Sequence, residues 1–360
     1  MPKLAEKQLN ALKKLPYWIK LKDIVNLYEV GILSQDKFND EILKARREHK
    51  PDPKLTEKQL NALKELPYWN KILDLIKLYK VGVITQEILN DEILKTKMEY
   101  KPESGTSYLG IEMVYVEGGV FQMGKEKSEN GCRSKPVHAV KINDFHIGKF
   151  QITQKQYESI MSVQYNYHEG CNNPIEMISW YNTIKYCNLR SIAEGFTPCY
   201  TIFNSTNPTD WGSPDSSWNA VICNWEANGY RLLTEAEWEY AAKGGLHSKG
   251  YEYSGSNIAN EVAWCKSNSS VTHTVGTKIA NELGIYDMSG NVWEWCWDWY
   301  GLYSNELQNN PIGPVMGETR VQRGGSYESD DYDLTCTIRG YCSSYIKIIG
   351  HSFRIARTKL

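Results

Sequence analysis

A chain of 360 residues, 41% hydrophobic and 23% charged, is long enough for two domains and has the balance of an ordinary soluble globular protein. Its formal net charge of -2 gives no electrostatic case for binding nucleic acid or an anionic membrane. No stretch approaches the roughly 20 apolar residues of a membrane span, and no apolar run follows Met1-Pro2-Lys3-Leu4-Ala5 to make a signal peptide. Tyr 24 and Trp 12 against Phe 7 favour half-exposed aromatic platforms over a dry core. Nine cysteines leave at least one unpaired, and no CxxC suggests zinc.

The first hundred residues contain a duplication. Leu4-Ala5-Glu6-Lys7-Gln8-Leu9-Asn10-Ala11-Leu12 returns as Leu55-Thr56-Glu57-Lys58-Gln59-Leu60-Asn61-Ala62-Leu63, a shift of 51 residues. Leu15-Pro16-Tyr17-Trp18 returns as Leu66-Pro67-Tyr68-Trp69, and Asn39-Asp40-Glu41-Ile42-Leu43-Lys44 as Asn90-Asp91-Glu92-Ile93-Leu94-Lys95. Ile24, Leu27 and Tyr28 recur at helical spacing, Val30-Gly31-Ile32 turns the chain, and Ser34 or Thr85 can cap the next helix. This predicts an all-α tandem repeat, residues 1–50 and 51–101, followed by a linker at 102–108. The second half of each unit, as in Leu27–Phe38, resembles the two-helix SHOCT module, which has no catalytic residues. The repeat is expected to be a spacer or assembly element.

From residue 109 the pattern changes to short strands, glycine turns and scattered tryptophans. Met113–Gly124 alternates around Gly118-Gly119 as a hairpin would, and Val137–Ile142 is strand-like. Thr153 is placed to cap a helix that begins near Gln154, and a second helix begins at Ile178–Asn182. Gly229–Ala242 reads as strand, cap and helix, with Thr234 and Glu237 forming a capping box. Trp295, Trp297 and Trp299 alternate with polar residues and read mostly as scaffold.

These segments, in this order, resemble formylglycine-generating enzymes and their sulfatase-modifying-factor relatives. The resemblance rests on Gly118–Gly124, on Arg231-Leu232-Leu233-Thr234-Glu235-Ala236-Glu237-Trp238-Glu239, and on Gly290-Asn291-Val292-Trp293-Glu294-Trp295. Arg323-Gly324-Gly325-Ser326 and the closing Phe353-Arg354-Ile355-Ala356-Arg357 complete it, and it covers roughly Leu109 to Thr358. It implies an α+β domain over 109–360, a loop-rich variant of the C-type lectin fold.

Enzymes of that family oxidise a substrate cysteine with two cysteines just after Gly-Gly-Ser, using copper and dioxygen. Soft thiolates suit Cu(I) and need a lowered pKa to react. Here the two family positions fall on Ser329 and Leu334, and neither can supply a thiolate. Cys336 and Cys342 are out of register and read as loop thiols or a disulfide, so neither copper nor an oxidase is expected. The resemblance also implies a structural calcium, with Asp287 binding by side chain and Met288, Gly290 and Val292 by carbonyl. A loop closed on its own hydrogen bonds is the alternative. Glu294 and Asp298 lack a third group to make a glycosidase pair. His138, His146, His168, His247 and His273 show no ligand spacing.

The segment from Ser329 to Ser352 has an unusual composition. Lys347 is its only member of the set Lys, Glu, Gln, Met and Trp, the types that no pyrimidine-ending codon encodes. Diversity-generating retroelements randomise adenines in codons such as AAC and so leave this signature. Their variable proteins resemble this domain, with the variable stretch between Arg-Gly-Gly-Ser and the closing Phe-Arg-Leu-Ala-like motif. The resemblance makes residues 327–352 a binding face for a protein or other macromolecule. Its contact residues would be Tyr327, Ser329, Asp330, Tyr332, Asp333, Leu334, Tyr341, Cys342, Ser343, Ser344, Tyr345, Ile346, Ile348 and His351. Tyrosines give rigid contact area there, and Ser and Asp give adaptable hydrogen bonding. A copper-dependent oxidase using Cys336 and Cys342, and an assembly protein acting through its repeats, are the other readings. By analogy with such variable proteins the place of work is the cell surface, through a lipid anchor and a leader.

Overall fold

In the computed structural model residues 111–126, 133–161 and 167–359 are described, with Val25, Lys37, 75–79, 88, 89 and 92 of the first hundred. Those few early residues are helical, but the expected tandem repeat and the linker lie otherwise outside the described residues. The chain divides into two units, Met1–Tyr100 and Lys101–Leu360. Among the described residues no helix is long and apolar enough to cross a membrane.

The larger unit mixes short strands with helices. In chain order come β1 (Met113–Val116), β2 (Gly119–Met123), β3 (His138–Ile142), β4 (Phe145–Gly148), α1 (Gln154–Met161) and α2 (Trp180–Ala193). Then follow β5 (Tyr200–Thr201), β6 (Ile222–Cys223), β7 (Tyr230–Leu232), α3 (Glu235–Ala242) and α4 (Ala259–Val262). The closing strands are β8 (Trp293–Trp299), β9 (Gln308–Asn309), β10 (Arg320–Arg323), β11 (Gly340–Cys342), β12 (His351–Ser352) and β13 (Ile355–Thr358).

One sheet runs β1-β4-β13-β7, entirely antiparallel, so the last strand lies between early ones. A second runs β11-β10-β8-β12, and a third β2-β3-β9. Met113–Gly124 is therefore not the expected hairpin. β1 pairs with β4 and β2 with β3. The cause is local: a Cβ on Gly118 would stand 2.4 Å from the Ile142 carbonyl oxygen. The Gly118 N–H donates to Asp144 Oδ1 at 2.9 Å, so this glycine carries the chain between sheets.

The two predicted caps, at Thr153 and Thr234, form, and Ser179 supplies a third. Thr153 Oγ1 accepts from Gln156 N, Ser179 caps α2, and Thr234 with Glu237 makes the capping box of α3. All eight residues of α3 are buried, because the helix packs against β8 and β10 on one side and β2 and β3 on another. Its Ala236, Trp238, Ala241 and Ala242 join Val116, Val140, Ile147, Met288 and Val321 in the main core.

A helix buried all round brings its glutamates with it, and each meets an arginine. Glu237 takes a two-pronged bond from Arg231, both distances 2.7 Å. Glu235 takes one from Arg339, both 2.6 Å, and Glu239 meets Arg323 at 2.5 Å. Burial alone would push the Glu239 carboxyl up, but Lys243 and Arg323 hold it down to about 2.

One further pair ties the elements together. Arg354, ahead of β13, donates to Glu294 of β8 through Nε at 2.7 Å and Nη2 at 2.7 Å. Trp238 Nε1 of α3 donates to the same carboxylate at 2.8 Å. Removing Glu294 leaves Arg354 charged, buried and unpaired, which costs about 3–5 kcal/mol. Glu294→Ala is expected to lose that much in denaturant unfolding followed by near-ultraviolet circular dichroism. The double variant Glu294→Met with Arg354→Met should recover part of it.

Candidate ligand-binding face

β10 ends at Arg323, and Gly324 and Gly325 follow with φ of 95° and 75°. A Cβ on Gly325 would lie 2.7 Å from the Asp333 carbonyl oxygen, so glycine lets the segment fold back tightly on itself. A short 3-10 turn over Asp331–Leu334, then β11 and β12, carry the chain to Ser352.

Of the fourteen predicted contact residues, four are buried. Tyr327 is 3% exposed, its N–H donating to the Asn291 carbonyl and its ring edge-on to His168. Ser329 Oγ accepts from Ser326 N at 3.0 Å, and its carbonyl accepts from Lys266 N at 3.2 Å. Leu334 packs with Ala259, Ala263 and Cys265 in a small apolar cluster, and Ser344 is 3% exposed. Tyr327, Ser329 and Leu334 are scaffold in this geometry because the double glycine folds the start of the segment inward, and Ser344 is buried just beyond β11.

The others reach the surface. Asp330, Tyr332, Tyr341, Tyr345 and Ile348 are exposed, Tyr345 most of all at 67%. Asp333, Cys342, Ser343, Ile346 and His351 are half-buried. They do not all share one side. In β11, Tyr341 stands opposite Val321 and Cys342 opposite Arg320, so the two side chains leave opposite faces of the sheet. Tyr341 lies 4.7 Å from the Tyr300 ring, with the Arg133 guanidinium over it. Burial lowers the His351 pKa to about 4, so its neutral ring accepts from Gln322 Nε2 through Nδ1 at 2.6 Å.

Alternation along β8 turns Glu294, Cys296 and Asp298 toward α3 and the four tryptophans Trp293–Trp299 the other way. There Trp297 meets Trp180, Tyr200 and Trp225. The Arg320 guanidinium is stacked 3.7 Å from the Trp180 ring and 3.5 Å from that of Trp299.

The groups that could carry chemistry are differently employed. Among the described residues eight cysteines are all free. The Cys336 thiol is buried against the Ala242 carbonyl at 3.5 Å, and burial pushes its pKa up to about 12. Cys342 is half-buried, and burial raises its pKa too. Glu294 is committed to Arg354 and Trp238, while Asp298 Oδ2 accepts from Glu235 N, so they make no glycosidase pair.

Two features were not anticipated from sequence. Cys265 packs on Leu334, a contact between distant segments that no local pattern signals. Ser269 Oγ lies 2.7 Å from His273 Nε2, but that hydroxyl also holds a turn by accepting from Val271 N.

The four predicted calcium ligands are only partly brought together. The carbonyls of Asp287, Gly290 and Val292 converge with Glu294 Oε1 on Gln151 Nε2, at 3.1, 3.4, 3.2 and 3.0 Å. The Asp287 carboxylate instead accepts from Gly276 N at 2.7 Å, and the Met288 carbonyl is outside the set. Burial raises the Asp287 pKa to about 6. Four oxygens suit a hard cation in type, but a buried amide nitrogen sits where they meet. The residues as arranged do not fit a cation.

Residues 100–359 match the sulfatase-modifying factor enzyme 1-like domain. The chain belongs to this family. Chaperone protein LppX of Paenibacillus barcinonensis is 39% identical over 245 residues, covering 63% of this chain and 82% of that protein. The serine/threonine-protein kinase pkn1 of Chlamydia pneumoniae is 31% identical over 269 residues, of which this chain spans 39% of the length and 71% of its own. The formylglycine-generating enzyme of Mus musculus is 28% identical over 270 residues, 63% of this chain and 70% of that enzyme. Among solved structures, Treponema denticola variable protein 1 superposes with a TM-score of 0.65 at 30% identity, covering 72% of this chain and all (100%) of that one. The C-type lectin-like fold of the formylglycine-generating type is thus the fold of this domain.

Gln151 offers two N–H groups to four buried oxygens, and Gln151→Leu removes both. At about 1–3 kcal/mol for each group left unsatisfied, the domain should lose roughly 3 kcal/mol in urea unfolding. The wild-type midpoint is expected to be the same with and without EDTA, and a clear fall on chelation would show a bound cation.

Proposed function

We propose that the C-terminal domain is a non-enzymatic binding domain, a diversity-generating-retroelement variable protein whose face between residues 327 and 352 captures a protein or other macromolecule. The observation that carries this reading is the composition of Ser329–Ser352, where Lys347 alone comes from the residue types that pyrimidine-ending codons exclude. Two facts support it. The likeness to Treponema denticola variable protein 1 covers that chain entirely (100%). Tyr332, Tyr341, Tyr345 and Ile348 also stand exposed on a backbone anchored by buried neighbours. Aromatic anchors beside adaptable polar groups are the chemistry of a paratope.

An oxidase using Cys336 and Cys342 is disfavoured by burial of the first thiol, since copper chemistry needs thiolates. One relative is named a chaperone, which is also a protein-binding role. A cell-surface setting, through a leader and lipid anchor, goes with the variable-protein reading.

Sequencing the coding region across a growing population tests the proposal. Substitutions should cluster at the exposed codons, 330, 332, 341, 345 and 348, and avoid Leu334 and Tyr327. An invariant segment would overturn it. With a ligand in hand, Tyr345→Ala and Tyr332→Ala should each weaken binding by roughly tenfold or more, as central aromatic contacts do, with an unchanged unfolding midpoint. Leu334→Ala should instead cost about 2–5 kcal/mol of stability.

A further inference from the structure

The chain between β8 and β10, Gly301 to Thr319, covers a cavity of about 290 Å³. Leu302, Ile312 and Pro314 form its walls, and Asp298 and Glu235 lie at its base beside Arg339. The Glu235 carboxylate is already employed by Arg339, Arg323 and Tyr303. Asp298 is not. It is 4% exposed, its Oδ2 accepts from Glu235 N at 2.8 Å, and its Oδ1 accepts no hydrogen bond among the described residues. A carboxyl oxygen that opens on a cavity and takes no bond from the described residues can accept one from a donor brought from outside.

The surroundings choose the donor's charge. Residues 301–319 contain Glu306 and Glu318 and no lysine or arginine. Leu302, Leu307, Val315 and Met316 are exposed along the same stretch, Val315 at 97%. Apolar walls over a carboxyl, with acidic and no basic residues in the covering chain, suit a cation on a hydrocarbon stem.

We propose that this cavity receives a primary alkylammonium group, the side chain of a lysine on a protein partner, with Asp298 Oδ1 accepting from the ammonium and Leu302, Ile312 and Pro314 covering its stem. The cavity adjoins the proposed binding face. Arg339 lies under Tyr300, which packs on Tyr341. It would thus be a subsite beside that face, sharing Arg339 with the segment 327–352, and it does not depend on the exposed residues of that segment varying.

Proton linkage supports the assignment. Burial, with Glu235 adding to it, pushes the Asp298 pKa up to about 8. Glu237 raises it further and Arg339 opposes, while Arg320, Tyr303 and His138 are the other titratable groups nearby. The carboxyl is therefore protonated at neutral pH and must lose its proton to hold an ammonium. Affinity should rise between pH 6 and 8, by at most about tenfold per unit, since a lysine stays charged up to about pH 10.

The test titrates Nα-acetyl-lysine amide into the full chain, followed by NMR shifts, beside the norleucine analogue and 1,5-diaminopentane. Saturable binding of the lysine amide is expected, at least tenfold weaker for the norleucine analogue and strengthening with pH. Asp298→Asn, an isostere of the neutral carboxyl, should abolish it with the circular dichroism unchanged. Ile312→Lys should block the cavity from within, while Tyr345→Ala should leave it intact. Equal binding of the norleucine analogue, undiminished binding by Asp298→Asn, or no binding at all would overturn the proposal. Tighter binding of the diamine than of the lysine amide would assign the cavity to free polyamines instead.

Discussion

The Glu294 carboxylate is the point on which the domain's parts agree. Arg354 grips it with two donors while giving Nη1 to the Gly148 carbonyl and Nη2 to that of Tyr286. Trp238 reaches it from α3, and Gln151 from the entry to α1. Short strands of two to seven residues and many glycine turns provide little continuous ladder. A charge pair with every lone pair satisfied does what long sheets do elsewhere: it sets one mutual arrangement of β8, α1, α3 and the chain entering β13. Buried pairs of this kind add little net stability over an apolar core of the same shape, but they punish every alternative packing that leaves a charge alone. The glutamates of α3 repeat the device with Arg231, Arg339 and Arg323.

This explains why the fold was legible from short motifs. The residues of Arg231–Glu239, Asn291–Trp295 and Phe353–Arg357 are the partners in those pairs, and their order along the chain identifies the fold. Capping was legible for a different reason: Thr153 and Thr234 act within three residues, so the signal is local. The Gly118-Gly119 pair misled because alternation around two glycines reads alike for a hairpin and for a crossing between sheets. Only contact with Ile142 and Asp144, more than twenty residues away, decides which it is.

The candidate binding face was half legible. Composition singled out Ser329–Ser352, but composition is blind to which way a side chain points. Tyr327, Ser329, Leu334 and Ser344 belong to the residue types permitted at every other position and are nonetheless buried. What sends the first three inward is the fold-back after Gly325 and the packing of Leu334 on Cys265. Similarly, the residues inferred from family likeness as calcium ligands are not gathered as that likeness implies. The Asp287 carboxylate turns to Gly276, and an amide from Gln151 meets the carbonyls.

Two positions that the family resemblance singles out, Ser329 and Leu334, are structural in this chain. At Ser329 a hydroxyl accepts from the Ser326 N–H and steadies the turn after the double glycine. At Leu334 an apolar side chain fills a cluster with Ala259, Ala263 and Cys265 and its carbonyl accepts from Ser289 Oγ at 2.7 Å. Both positions hold the loop that carries Asp330, Tyr332 and Asp333. A loop pinned at its base from within can change at its tip with little effect on stability, because exposed side chains contribute little to folding. Separating what is buried from what is displayed, within a stretch of only a few turns, is the property that a surface subject to repeated substitution requires.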